Sequence, residues 1–169
     1  MQKENLRGVQ SAAAEKEQGF LTVTHSLQQL QQMQQLQPSI IVTAGDLLAG
    51  YALVMPREGS ALVPELLPLF ALLDKLSYRG RPLQEQRYYV MGQICVAPAF
   101  RGQGVFDLLY QQHRQRLHPT YDMVITEVAT RNTRSMRAHQ RLGFTILHTH
   151  TDELDNWAVV GWDWTNTAL

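Results

Sequence analysis

The chain has 169 residues, enough for one domain with a sizeable buried core. Fifteen basic residues cancel fifteen acidic ones, which excludes a global field that would recruit nucleic acid or an anionic membrane. The single cysteine, Cys95, excludes an internal disulfide; with no membrane-length apolar run and no signal-peptide pattern, a cytoplasmic location is expected.

Residues 1–19 are polar and are expected to be loosely ordered. A helix is predicted from Ser26 to Gln37, with Leu27, Leu30, Met33 and Leu36 forming its apolar stripe. Thr24 or Ser26 caps it and Pro38 ends it. Its glutamines suggest an interaction tract, but the regular stripe favours an ordinary amphipathic helix. The apolar runs 39–43 and 47–55, separated by Ala44-Gly45-Asp46, read as a β-hairpin. A helix follows over 64–76, with Pro68 expected to delay or kink its start. Residues 77–82 form a turn-rich loop, and Tyr88 to Val96 a strand.

That strand runs into Ala97-Pro-Ala-Phe-Arg101-Gly-Gln-Gly104 and then a helix to about Leu117. Glycines allow close backbone approach, and a helix start offers unpaired N–H groups with a positive dipole end. The segment is therefore a candidate pyrophosphate cradle. Met123 to Val128 is the next strand, and the intervening helix makes the pair a parallel βαβ unit. A short helix over 133–142 is closed by Gly143, and strands 144–150 and 157–164 form a final hairpin around an acidic turn. The expected fold is one mixed α/β domain over 1–169.

Three segments carry chemistry: Arg101-Gly-Gln-Gly-Val-Phe106, Thr126-Glu-Val-Ala-Thr-Arg-Asn132, and Asn132-x-x-Ser135-x-x-Ala138-His139-x-x-x-Gly143-Phe144. Together they resemble the GCN5-related N-acetyltransferase (GNAT) family, which binds acetyl-CoA. Its phosphate signature, Gln/Arg-x-x-Gly-x-Gly/Ala, is met by Arg101 and Gly104, with Phe106 departing from the small last residue. Its later signature, Asn-x-x-Ala-x-x-Leu-Tyr-x-x-x-Gly-Phe, is met at Asn132, Gly143 and Phe144, with His139 in the tyrosine position. A P-loop would need Lys-Ser/Thr after the glycines, and a dinucleotide-binding turn a third glycine.

The resemblance implies a site residue by residue. The pantetheine arm would pair with the strand edge at Ile94, Cys95 and Val96. The pyrophosphate would rest on the N–H groups of Gly102, Gln103, Gly104, Val105 and Phe106. Arg101 and Ser135, as signature positions, belong to the same cofactor-binding set. Asn132 would hydrogen-bond the pantetheine arm, a role compatible with a plain helix N-cap.

Glu127 is the candidate general base. Strand alternation groups it with Met123 and Ile125, where desolvation raises a carboxyl pKa, and the family places a catalytic glutamate five residues before the asparagine. An ion pair with Arg87, Arg131 or Arg134 is the structural alternative. His139 would supply the acid in place of tyrosine, relay a proton for Glu127, or be merely structural.

Arg131, Arg134, Arg137 and Arg141 form a local basic patch. His148 and His150 share a strand face but lack a third ligand, so no metal is expected. Tyr78, Arg79, Arg81, Tyr88 and Tyr89 are candidates for acceptor contacts, with ordinary loop residues the plainer reading. Trp157, Trp162 and Trp164 read as core or interface.

The expected activity is direct acetyl transfer from acetyl-CoA to a primary amine of a small molecule or peptide. Cys95 as an acetylated nucleophile is a minor alternative mechanism. A non-catalytic acyl-CoA-binding module and a structural domain built on the Gln-rich helix are the rivals from other classes. Oligomerisation is not indicated.

Overall fold

A computed structural model describes residues 1–9, 15 and 20–165. Part of the amino-terminal stretch expected to be loosely ordered lies outside these residues, at 10–14 and 16–19. Its described part makes specific contacts: Leu6 bridges to Leu21, and Asn5 is buried.

Helix α1 spans Leu27–Leu36 and starts on a capping box. The Ser26 hydroxyl accepts from the Gln29 N–H at 3.2 Å, and the Gln29 side chain accepts from the Ser26 N–H at 2.8 Å. Strands β1 (Ile40–Ala44) and β2 (Leu47–Met55) form the expected hairpin. A 3-10 turn at Pro64–Leu66 precedes α2 (Leu67–Leu73), with Pro68 in its first positions. There the missing N–H is harmless, so the proline delays the helix without kinking it.

The 77–82 segment is a small hairpin, β3 (Ser77–Tyr78) and β4 (Arg81–Pro82), turning on Arg79 and Gly80. β5 (Tyr88–Val96), α3 (Val105–Leu117) and β6 (Met123–Ala129) are the βαβ unit. α4 (Thr133–Leu142), β7 (Thr145–Thr151) and β8 (Asn156–Asp163) complete the described elements.

The main sheet has six strands in the order β1-β2-β5-β6-β8-β7, and only β5 and β6 run parallel. Alternation along the strands sends side chains into two separate cores. Tyr89, Met91 and Val124 meet Leu109, Tyr110 and Phe144 on the α3/α4 face. Tyr88, Val90, Met123 and Ile125 meet Met33, Phe70 and Leu73 on the α1/α2 face. The three tryptophans are buried, as a core reading requires.

One irregularity positions the site. Across β2 and β5, Leu53 faces Gln93 but Val54 faces Met91, so Gly92 is an extra residue in β5. Such a bulge bends its strand and ends regular pairing. The parallel ladder stops there: only Tyr88, Val90 and the residue between them pair with Met123–Ile125. Beyond that point the carboxyl ends of β5 and β6 diverge.

Candidate active site

The divergence opens a cleft of about 1100 Å³ on the α3/α4 side of the sheet. Ile94, Cys95 and Val96 form one wall, the turn 100–106 the floor, and residues 132–141 the other wall. It therefore joins all the expected cofactor-binding positions except Gln103, whose side-chain amide turns back to the Ala99 carbonyl at 2.8 Å.

The turn is shaped by Gly102 (φ 75°) and Gly104 (φ 79°), both in the left-handed region. Gly104 has open space where a Cβ would stand. The first backbone bond of α3 runs from the Leu108 N–H to the Gly104 carbonyl at 2.9 Å, leaving the N–H groups before it without intrahelical partners. With a positive dipole end, this is a fitting seat for a pyrophosphate. Gly104→Val is expected to strain the turn by roughly 1–3 kcal/mol and to block the seat. Thermal unfolding and cofactor titration should both register it; unchanged cofactor affinity would remove the turn from the site.

Phe106, the departure from the signature, is accommodated by its neighbours. Its ring stands edge-on to Tyr110 and His139, each with centroids 5.1 Å away. It fills the seam between α3 and α4, where His139 is smaller than the family's tyrosine. Its backbone remains in the turn.

The structure corrects the expectation for His139. The ring is 2 % exposed and lies in the α3/α4 core, not in the cleft. Nδ1 is 2.8 Å from the Ser135 carbonyl oxygen, which can only accept, so Nδ1 carries the proton. Nε2 therefore accepts from the Tyr110 hydroxyl, also at 2.8 Å. Burial holds the imidazole neutral, with its pKa pushed down to about 4. Both nitrogens are committed to the core, and neither relays a proton for Glu127.

Asn132 caps α4 by accepting the Ser135 N–H at 3.2 Å, and it lines the cleft as well. The cap role therefore does not exclude the expected contact to a cofactor arm. Arg101 does not aim its guanidinium at the cradle: it bonds the Asn5 side chain and approaches the Val96 carbonyl. That places Asn5, Phe20 and Leu21 on the cleft wall, a contribution of the amino terminus with no sequence signal. Cys95 is buried, and burial pushes its thiol up despite the nearby Arg101. This environment disfavours the thiolate that a covalent mechanism needs.

Glu127 lies two residues beyond the last β5–β6 pair, with the parity of the α1/α2 face, and does not line the phosphate-side cleft. None of the three arginines considered pairs with it. Arg87 pairs with Asp122, Arg131 with Asp155 and Glu15, and Arg134 lines the cleft. Its partner is His150, which reaches across β8 to donate from Nε2 to Oε1 at 2.6 Å. Burial raises the Glu127 pKa; His150 opposes the shift and Asp152 adds to it. No metal-binding cluster of His, Cys, Asp or Glu occurs among the described residues.

The acceptor-loop expectation also changes. Tyr88 and Tyr89 are buried. Tyr78, Arg79 and Arg81 line a separate hollow with Asp122 and Asp163 at the amino-terminal ends of β5 and β6. The nine residues of β5 span about 30 Å, which separates this hollow from the cleft. Sequence reasoning also missed the hydrogen bond from the Tyr51 hydroxyl to Gln93 Oε1 at 2.6 Å, beside Cys95. A glutamine inside an apolar strand was its only signal.

A mixed six-stranded sheet splayed at one parallel pair, with a glycine turn and helix start at the splay, is the architecture of the acetyltransferase structures it resembles. The family model for the GNAT acetyltransferases matches residues 13–144, and the chain belongs to that family. Solved structures agree on the fold. Ard1 from Thermoplasma volcanium aligns with TM-score 0.62 at 14% identity, over 89% of this chain and 85% of that one. Salmonella typhimurium yncA, bound to its cofactor acetyl-CoA, aligns with TM-score 0.54 at 16% identity, over 82% and 72%. The ribosomal-protein-S18-alanine N-acetyltransferase of Escherichia coli gives 0.53 at 13%, over 78% and 73%. No curated protein matches the sequence significantly. No helix among the described residues is long and apolar enough to cross a membrane.

Proposed function

We propose that this protein transfers an acetyl group from acetyl-CoA to a primary amine, with Glu127 as general base. The observation that carries this reading is the gap between β5 and β6. It leaves a free strand edge at 94–96, a phosphate seat at 102–106, and a half-buried carboxylate beside the gap on the opposite face. A donor entering from the α3/α4 side and an acceptor from the α1/α2 side can meet through the sheet. Bound acetyl-CoA would supply the activated acyl carbon. Ile94–Val96 would hold its arm, the turn its pyrophosphate, and Asn132 its orientation.

Glu127 in its carboxylate form would take one proton from the acceptor ammonium. As the C–N bond forms and the thioester C–S bond breaks, the nitrogen sheds a second proton and the departing thiolate is protonated from solvent. The raised pKa of Glu127 makes it a better proton acceptor than an exposed glutamate, while the His150 bond keeps the carboxylate aimed. Activity then falls as pH drops through that raised pKa. His150→Phe removes an interaction that lowers the Glu127 pKa, so the acid limb of kcat/KM is expected to move to higher pH. An unmoved limb in the variant would detach Glu127 from the titration.

Acetyl-CoA titration by calorimetry, followed by an acetylation screen over amines, amino acids and peptides, tests the whole reading. Binding with turnover of any amine supports it. Binding without turnover would favour an acyl-CoA-binding module, a reading supported by the withdrawal of His139 from the cleft. Absence of binding would overturn both.

A further inference from the structure

The second hollow lies outside everything that acetyl transfer uses. It holds about 360 Å³ at the amino-terminal ends of β5 and β6, about 30 Å along β5 from the donor cleft. Its hairpin wall is braced. The Gln86 side-chain amide donates to the Tyr78 carbonyl at 3.0 Å and to the Arg81 carbonyl at 2.9 Å. The two-residue turn between β3 and β4 needs left-handed backbone at both positions, which Gly80 adopts freely at φ 76°. Arg79 takes it too, at φ 52°, the one non-glycine residue to do so among the described residues. Asparagine or glycine would relieve that strain, and strained backbone of this kind gathers at ligand sites. What the arginine supplies is a guanidinium laid over the Tyr78 ring and paired with Asp163 at 2.9 Å.

Six charged side chains line the hollow, three guanidiniums and three carboxylates. Four of them are framework. Asp163, besides holding Arg79, accepts from the Thr165 N–H and hydroxyl at 2.8 and 2.6 Å. Arg87 grips both oxygens of Asp122 and reaches the Pro119 carbonyl at 3.3 Å. The remaining two, Arg81 and Glu85, are exposed, and neither forms an ion pair among the described residues. Arg81 makes one long contact, 3.5 Å from Nη2 to the Glu85 backbone carbonyl. That contact keeps the guanidinium beside Glu85, so one unspent cation and one unspent anion stand together at the hollow.

A lining of equal and opposite charge gives no net attraction for a phosphate, a dicarboxylate or a polyamine. It suits a small molecule that carries one charge of each sign. The planar fork of an arginine matches a carboxylate, and a carboxylate beside it accepts from an ammonium. The short span between Arg81 and Glu85 matches the short span between the two ionic groups of an α-amino acid. We propose that the hollow binds a free α-amino acid, with its carboxylate on Arg81 and its ammonium on Glu85. Its distance from the β5–β6 gap makes this a second site, separate from acetyl transfer. Occupancy of the hollow does not depend on acetyl-CoA.

Calorimetric titration of the full chain with the common L-α-amino acids tests this, with acetate and inorganic phosphate titrated alongside. At least one amino acid should bind. Its N-acetyl derivative lacks the ammonium and its amide lacks the carboxylate. Each should bind about tenfold more weakly or worse, the scale of one charge-assisted hydrogen bond. Arg81→Ala and Glu85→Gln should each weaken the free amino acid by a similar factor. Both side chains are exposed, so the thermal midpoint should stay unchanged in either variant. Absence of binding by every amino acid would overturn the proposal. So would acetate or phosphate binding as tightly as the amino acid, which would mark a plain anion site. Unchanged amino-acid affinity in either variant would place the ligand elsewhere, the acceptor side of the gap included, and overturn it too.

Discussion

Glu127→Gln is expected to lower kcat by about 10²–10⁴-fold, the usual contribution of a positioned general base, or roughly 3–5 kcal/mol in barrier height. Affinity for acetyl-CoA should stay close to that of the unaltered protein, because Glu127 does not line the phosphate-side cleft. The substitution is nearly isosteric, and the amide can still meet His150, which Glu127 now engages at 2.6 Å. Fold and donor site are thereby preserved while the proton acceptor is lost. Steady-state kinetics with a donor titration separates the outcomes. Weakened donor binding with undiminished turnover would contradict the assignment.

Acidification from pH 7 to pH 4 is expected to cost the fold about 6 kcal/mol, a large share of an ordinary domain's stability. His113 and His139 are fully buried, and burial pushes both pKa values from 6.5 down to about 4. The unfolded chain binds these protons near pH 6.5, whereas the native state resists them until about 4. The stability is thus fully present above 6.5 and is lost progressively down to about 4. Each histidine contributes about 3 kcal/mol to that loss. Glu127, whose carboxyl is held up by burial, acts in the opposite sense and offsets part of it. Urea midpoints across this pH range provide the measurement. A midpoint independent of pH would show that neither imidazole is held neutral. His113→Gln should flatten the dependence by about one proton.

The two histidines also show where sequence reading stops. His139 occupies a position that, in a one-dimensional pattern, belongs to a proton donor. The fold rotates it into the seam between α3 and α4, where Tyr110 and the Ser135 carbonyl take both nitrogens. That outcome depends on Tyr110, 29 residues earlier, and on the large Phe106 ring beside it. No local spacing encodes it. Glu127 shows the same limit from the other side. Strand parity correctly groups it with Met123 and Ile125, but the sequence offered three arginines as partners. The partner is His150, because β8 enters the sheet between β6 and β7 and brings the two side chains to one face.

The elements that local chemistry governs were legible. The Ser26 box, the early Pro68, the left-handed Gly104 and the Gly143 cap each act within a few residues of their own position. They place the helices and the glycine turn, and with them the family and the proposed pyrophosphate seat. What only the tertiary structure decided is the gap itself and the company it keeps. The Gly92 bulge is visible only in the pairing of β5 with β2, and the Asn5–Arg101 contact joins residues 96 positions apart. Sequence determined the parts whose physics is local: capping, backbone handedness and periodic burial. Partner identity, side-chain exposure and the division of the arginine patch follow from long-range packing, which depends on every strand being in place.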